Sequence, residues 1–289
     1  MLIENRIIDG KIVEYSKVDV AIQRLKSFEP ADGYWLAFSG GKDSLTIKAL
    51  ADMAGVKYEA HYSLTTVDPP ELVRFIKEKH PDVIVDRPKL TMWQLIVKNG
   101  PPTRINRFCC KYLKEASGIG KVTITGVRWA ESNNRRENRH LVDIGGKGDV
   151  VLNDDNSESR KTVENCYRTQ KTLVNPIIDW SDDDVWNYIH RNGLRYCSLY
   201  DEGWSRLGCI GCPMNTRAAE QFERWPTYKT AYIHAFDRFI ARRKAKGNVK
   251  NLKWKTGQEC FDWWIGNTAD ESDEMDGQIE IDDSEGESK

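Results

Sequence analysis

No apolar run in this chain approaches the roughly 20 residues that a membrane helix needs. The first residues, MLIENRIIDGK, also lack the long apolar core of a secretory signal, since Glu4 and Asp9 stand where that core would lie. Both absences lead to the expectation of a cytoplasmic protein with no membrane partner. A disulfide framework is missing as well. Seven cysteines, an odd number, without a sign of secretion argue for reduced thiols, some of them on a metal. There are no internal repeats, and 289 residues suffice for one large domain or a domain with appendages.

A net charge of -1 hides an asymmetry. Residues 269–289 hold ten acids and one base, Lys289. Without them the body carries 42 basic and 34 acidic residues, a balance of +8. So few large apolar groups lie in this tail that it is expected to be disordered, either for solubility or to compete with an anionic partner for the basic body.

Residues 1–30 are expected to form an N-terminal helical segment ending in VDVAIQRLKSF. Tyr34–Phe38 reads as a buried strand, and Leu45, Ala49 and Met53 fall on one face of a helix over 44–54 that Gly55 stops. Lys57–Ser63 and DVIVD are further strands, and KVTITGV (121–127) is rich in β-branched residues. Asp68-Pro69-Pro70-Glu71 reads as a capped helix start, TMWQLIVKN as another helix. Strands alternating with helices predict an α/β fold, a Rossmann-like parallel sheet with helices on both faces. Residues 145–170 read as a long loop, Ser181 caps a further helix, and a helical, basic extension covers 216–268.

Within this frame Phe38-Ser39-Gly40-Gly41-Lys42-Asp43-Ser44 follows the first buried strand and opens a helix. Glycines let backbone N–H groups converge on a phosphate, and the helix start adds partial positive charge. Ser39 and Ser44 offer hydroxyls, Lys42 a cation, and Asp43 a cap or a hold on Mg²⁺. A Walker loop has Ser or Thr straight after its lysine; here Asp43 follows. S-G-G-K-D-S instead resembles the PP-loop of the N-type ATP pyrophosphatases, which implies a grip on a leaving pyrophosphate.

The second constellation is sulfur. Cys109 and Cys110 are adjacent, and Cys209-Ile210-Gly211-Cys212 is a C-x-x-C. Four thiolates suit an iron–sulfur cluster or zinc, if the fold joins them; neighbouring cysteines are awkward for a zinc knuckle. Cys166, Cys197 and Cys260 read as small buried hydrophobes.

Taken together, the motifs from about Tyr34 to Met214 resemble the phosphoadenosine phosphosulfate reductase family. They are Arg107–Lys114 with its C-C-x-x-x-K pattern, Asn175–Trp186 with its P-I-x-x-W-S start, and Leu199–Cys209 leading to the C-x-x-C. Thr125–Arg136 resembles the G-V-R-x-x-E-S segment found across the branch, including the relatives that thiolate the DNA backbone. The resemblance implies an adenine nucleotide alpha hydrolase-like domain over 31–215. It also implies a [4Fe–4S] cluster on Cys109, Cys110, Cys209 and Cys212, with zinc as the alternative.

Two departures stand out. The reductases end in a mobile E-C-G-[LI]-H segment, whereas this chain has Glu259-Cys260-Phe261-Asp262; and the reductases usually carry a weakened loop, whereas this one is intact. Both favour ATP cleavage. ATP with Mg²⁺ is therefore expected at Ser39, Gly40, Gly41, Lys42, Asp43 and Ser44, with Arg128 and Arg135 clamping phosphates. Lys42, Asp43 and Arg128 are the expected catalytic groups. An acceptor would be adenylated for sulfur transfer, with a nucleic-acid acceptor and a sulfur-donor protein as partners. Sulfonucleotide reduction and a nucleotide-sensing module without catalysis are the alternatives.

Overall fold

The computed structural model describes residues 2–8, 10–115, 117–144, 150–152, 172–250 and 252–269. Cys166, most of 145–170 and the tail from 270 lie outside them. Two compact units interleave along the chain: one within 1–63, 70–86 and 117–207, the other within 64–69, 87–116 and 208–289.

In the first unit the chain opens as a hairpin, β1 (Ile3–Ile8) and β2 (Lys11–Ser16), paired antiparallel with Ile7 opposite Ile12. This corrects the expectation of a helical segment over 1–30: helix appears only in α1 (Lys17–Ser27), where the Ser16 hydroxyl accepts from Asp19 N.

Next come β3 (Tyr34–Ala37), α2 (Lys42–Ala54), β4 (Tyr58–Ser63), α3 (Pro70–Lys79) and β5 (Ile84–Asp86). Gly55, at φ 70°, ends α2 as expected. In the second unit, α4 (Met92–Asn99) starts with a Thr91–Gln94 capping box, and α5 (Phe108–Cys110) runs into a π-helical turn, Lys111–Glu115. Asp68, expected to cap α3, instead accepts from Thr65 N at 2.7 Å, and α3 begins at Pro70. The first unit continues with β6 (Val122–Ile124), α6 (Asn133–Asn138), β7 (Val142–Ile144), β8 (Val150–Leu152), β9 (Thr172–Val174) and α7 (Asp182–Arg191). In the second unit α8 (Ala218–Arg224), α9 (Pro226–Ala245) and α10 (Gly257–Ala269) form the helical C-terminal region.

The sheet order is β5-β4-β3-β6-β9-β7-β8. From β5 to β9 all pairs are parallel, while β7 and β8 are antiparallel. The fold is thus Rossmann-like α/β, as expected, extended beyond β9 by β7 and the edge strand β8, which falls within the expected 145–170 loop. From β3 the chain steps outward to β4 and β5, then returns to β6 on β3's other side. That reversal puts a topological switch point between the carboxyl ends of β3 and β6, where ligands bind in open α/β sheets. Among the described residues no helix is long and apolar enough to cross a membrane.

A buried ion pair joins the start of α1 to the start of α7. Lys17 Nζ lies 2.6 Å from Asp184 Oδ2, with both side chains almost wholly buried. Burial raises the Asp184 carboxyl, but bonds from Lys17 and Ser181 outweigh it and hold its pKa well below the usual range. Stability from this group is therefore present above the unfolded carboxyl value of about 3.9 and lost as pH falls toward the folded one. Lys17→Met takes the buried ammonium away from this carboxylate and should cost about 3 kcal/mol at neutral pH in denaturant unfolding. The same variant should lose stability less steeply than the parent below about pH 4, because the carboxyl's folded pKa moves back up.

Candidate functional site

Tyr34–Ala37 delivers the backbone to Ser39-Gly40-Gly41, and α2 starts at Lys42 with Gly41 as its N-cap. Gly41 has no side chain with which to cap this helix, so its first N–H groups must find partners elsewhere. Gly40 sits at φ 71°, and a Cβ there would lie 2.8 Å from Leu72 and Ile76, so glycine is demanded twice. Ser44 Oγ donates to Gly41 O at 2.9 Å, and Ser39 Oγ lies 3.3 Å from Ser44 Oγ. Lys42 is buried. Its ammonium is 3.4 Å from Asp182 Oδ1, 3.6 Å from Asp43 Oδ2 and 3.5 Å from the Ser205 carbonyl. The loop thus gathers hydroxyls, a cation and a helix N-terminus at the switch point.

Arg128 has a different place from the one expected. Its side chain is only 1% exposed. Nε donates to Asp43 Oδ1 at 2.7 Å, Nη2 to Asp182 Oδ1 at 2.6 Å and Nη1 to the Trp180 carbonyl at 3.2 Å. Rather than a guanidinium open to phosphate, it is a brace tying the start of α2 to the start of α7. A long cation buried beside two helix starts needs carboxylates, and Asp43 and Asp182 provide them. For Asp182, burial raises the pKa, but the charge of Lys42 and then the bond to Arg128 lower it further. Gly126 lets the strand end approach: a Cβ there would stand 2.8 Å from Asp43 Cβ. Arg135 pairs with Glu131, and its pKa is depressed by burial, then by the neighbouring charges of Arg206 and Arg139. Clustered guanidiniums of this kind attract an anion.

The sulfur site belongs to the second unit. Cys109 and Cys110 end α5 just before the π-helical turn, a local geometry frequent at functional sites. Cys209 Sγ is 3.4 Å from Thr65 Oγ1. The Cys109 thiol is pushed up by its bond with Cys110, by burial, and by the charges of Cys110, Cys209 and Cys212. Lys114 keeps much surface in solvent. Its ammonium is held protonated first by Cys209, and also by Asp68, Cys212 and Cys110, against desolvation of that end by burial. All four expected cysteines therefore share one electrostatic neighbourhood. Among the described residues, however, no three His, Cys, Asp or Glu side chains are grouped closely enough to hold a metal ion. The donor set is suited in kind, four thiols beside a cation, without being closed around a centre.

The C-x-x-C backbone is firmly held. Ile210 N donates to Val67 O, Tyr232 Oη donates to Ile210 O, and Gly211 N donates to Gln221 Oε1. At Gly211 φ is 70°, and a Cβ would come within 2.5 Å of the Phe222 ring. Nearby, Thr66 has φ 65°, strained for a β-branched residue, and its hydroxyl accepts from Met92 N at 3.0 Å. Cys197 and Cys260 are fully buried as expected, and burial pushes both thiols up.

Sequence reasoning missed Asp182, read only as an acid in a helix start, and Tyr200, whose hydroxyl accepts from Lys42 N at 2.8 Å. It also missed Ser205, Gly126 and Lys114. Tyr200 and Ser205 lie in the Leu199–Cys209 stretch, so the signal was present without a role attached to it.

Residues 33–215 match the family model for the phosphoadenosine phosphosulfate reductase domain. An uncharacterised protein of Methanocaldococcus jannaschii is 28% identical over 217 residues, 70% of this chain and 47% of that protein. The adenosine 5'-phosphosulfate reductase of Oceanobacillus iheyensis is 29% identical over 171 residues, 56% of this chain and 60% of that one. The matches thus cover less than two thirds of either relative's length. Among solved structures, the phosphoadenylyl-sulfate reductase of Candida auris in a phosphate complex aligns over 68% of this chain and 90% of that one, with 15% identity and a TM-score of 0.46. Yeast FAD synthetase in complex with FAD aligns over 88% and 86%, with 12% identity and a TM-score of 0.43.

The brace makes a stability prediction. Arg128→Met takes the guanidinium away from Asp43 and Asp182, leaving them Lys42 alone, and should cost about 3 kcal/mol in denaturant unfolding. Arg128→Lys should recover less than half of that, because one ammonium cannot serve two carboxylates and a carbonyl in the planar geometry that guanidinium fits.

Proposed function

The chain belongs to the phosphoadenosine phosphosulfate reductase family, and on that premise we propose a PP-loop enzyme of sulfur metabolism that binds ATP, releases pyrophosphate and adenylates an acceptor for sulfur transfer. The observation that carries this over reduction is the placement of Cys260. It is 0% exposed inside α10. A reductase thiol must reach a sulfonucleotide as a thiolate, and burial opposes both access and ionisation.

In this reading the phosphates lie over Ser39–Ser44. Ser39 and Ser44 hydroxyls and the N–H groups opening α2 bind them, and Lys42 offsets charge that grows on the leaving group. Asp43 and Asp182 are the carboxylates that would hold Mg²⁺, which neutralises phosphate charge when bound. Arg128 positions both carboxylates. An acceptor oxygen attacks the α-phosphorus, the bond to pyrophosphate breaks, and its electron pair leaves with pyrophosphate. Sulfur then displaces AMP. Arg135, with Arg206 and Arg139 around it, supplies positive potential for phosphate.

Cys109, Cys110, Cys209 and Cys212 would hold a [4Fe–4S] cluster, with zinc as the alternative; a cluster adds electron- or sulfur-handling chemistry to the site. What supports this is the donor set of four thiols beside Lys114. A nucleic-acid acceptor fits the basic body, including exposed Lys244, Lys246, Lys250, Lys253 and Lys255. A sulfur-donor protein completes the scheme.

Sulfonucleotide reduction is the second reading, favoured by relatives named adenosine 5'-phosphosulfate reductase. One assay separates the two. Protein purified without oxygen is given ATP or adenosine 5'-phosphosulfate, and pyrophosphate and sulfite are measured. Pyrophosphate from ATP is expected. Sulfite without pyrophosphate would reject the proposal in favour of reduction, and ATP binding without either product would leave a non-catalytic sensor. Iron and sulfide analysis of the same preparation should find both, and Cys209→Ala should lose them; zinc in their place identifies the alternative.

A further inference from the structure

The phenol of Tyr200 occupies a place in the loop that no expectation assigned to it. Lys42 N, the first N–H of α2, donates to Tyr200 Oη at 2.8 Å. A Cβ on Gly41 would stand 3.3 Å from the same oxygen. The ring is set edge-on against Trp186, with centroids 5.0 Å apart and planes at 87°, and against Tyr196 at 6.2 Å. Its oxygen is therefore located by α7 and the turn Ser198–Tyr200, not by the loop alone.

A phenol has one proton to give and lone pairs to receive with. Here a lone pair is used on Lys42 N, and among the described residues the proton has no acceptor. Burial raises the phenol's pKa, the bond from Lys42 N lowers it, and the balance is upward. The proton therefore stays on the oxygen at any working pH.

We propose that Tyr200 is a phosphate-contacting residue. Its hydroxyl takes the first N–H of α2 and passes that donor capacity outward, donating its own proton to a nucleotide phosphate oxygen in the mouth of the loop. Polarisation along the pair, Lys42 N–H to Tyr200 Oη and Tyr200 O–H to phosphate, strengthens the second bond. The geometry extends the helix N-terminus by one side chain, so the loop reaches a phosphate that the backbone at Lys42 does not touch directly. This inference rests on the reading that Ser39–Ser44 binds nucleotide phosphates.

Tyr200→Phe tests it, since the ring and its packing on Trp186 remain while the hydroxyl goes. The probes are ATP, adenosine 5'-phosphosulfate, inorganic pyrophosphate and adenosine, titrated calorimetrically against the parent and the variant. The variant should bind the phosphorylated probe that the parent binds best about tenfold or more weakly, as expected for losing a hydrogen bond to a charged group. Adenosine affinity should be unchanged. Equal loss for adenosine would show a general structural role and overturn the proposal. So would unchanged phosphate affinity, or tighter binding, which would make Tyr200 an obstacle displaced by phosphate. If the parent binds none of the phosphorylated probes, the reading of the loop itself fails. Should the variant not fold, the parent labelled with ¹³C at tyrosine Cζ gives the answer: one tyrosine signal should shift as the bound probe saturates, and no shift overturns the proposal.

Discussion

The first unit depends on one buried cation. Arg128 enters from the carboxyl end of β6 and is neutralised by Asp43 at the start of α2 and Asp182 at the start of α7. Removing a guanidinium from water is expensive unless its donors are met, and here Nε, Nη1 and Nη2 each have an acceptor. The arrangement specifies position more than it adds stability, because desolvation offsets much of the attraction. With α2 and α7 each tied to the same side chain, their N-termini are registered against the switch point. Glycine at 126 is the steric counterpart of this electrostatic tie, since it allows the strand end to reach Asp43.

The same two carboxylates also govern Lys42. Its ammonium shares Asp182 Oδ1 with Arg128 and lies within 4 Å of Asp43 Oδ2. A lysine so held has its charge largely balanced before any ligand arrives. An incoming phosphate must compete with carboxylates for it, and a divalent cation bound to those carboxylates would release Lys42 toward phosphate. Nucleotide and metal would then enter cooperatively in this reading, through charge balance rather than a large rearrangement. Arg135, paired with Glu131, has its pKa depressed by burial and by the neighbouring charges of Arg206 and Arg139.

Much of the sheet was legible because its signals are local. YWLAF, KYEAHYS and the β-branched run at 121–127 became β3, β4 and β6, though β6 proper spans only Val122–Ile124. Gly55 stopped α2 where a left-handed C-cap was needed. The loop's conformation was readable because strand, glycines and helix start are contiguous in sequence. Asp182 and Tyr200 were not, since their roles exist only when residues about 140 and 158 positions from the loop fold against it. Nothing local distinguishes the Asp182 carboxylate from that of Asp183, its neighbour in the same helix start. The motif marked Arg128 as a residue, and the fold adds its two carboxylate partners, Asp43 and Asp182, which no local pattern could name. The N-terminal hairpin was overlooked for another reason, since a two-stranded ribbon with polar faces carries little hydrophobic contrast.

The C-x-x-C turn owes its shape to helices that follow it in the chain. Cys209–Cys212 is held by backbone bonds to Val67, Tyr232 and Gln221, and Gly211 is pressed against Phe222 and Trp264. Four of those five partners come from α8, α9 and α10, which share an aromatic core: Tyr232 and Trp264 lie 4.9 Å apart, Phe222 and Phe261 5.1 Å. The C-terminal helices are therefore the wall that shapes the C-x-x-C turn, whatever their basic outer surface binds. Cys260 belongs to that wall. Its thiol is buried there, and burial pushes it up, so it serves as packing among the helices that hold the C-x-x-C turn.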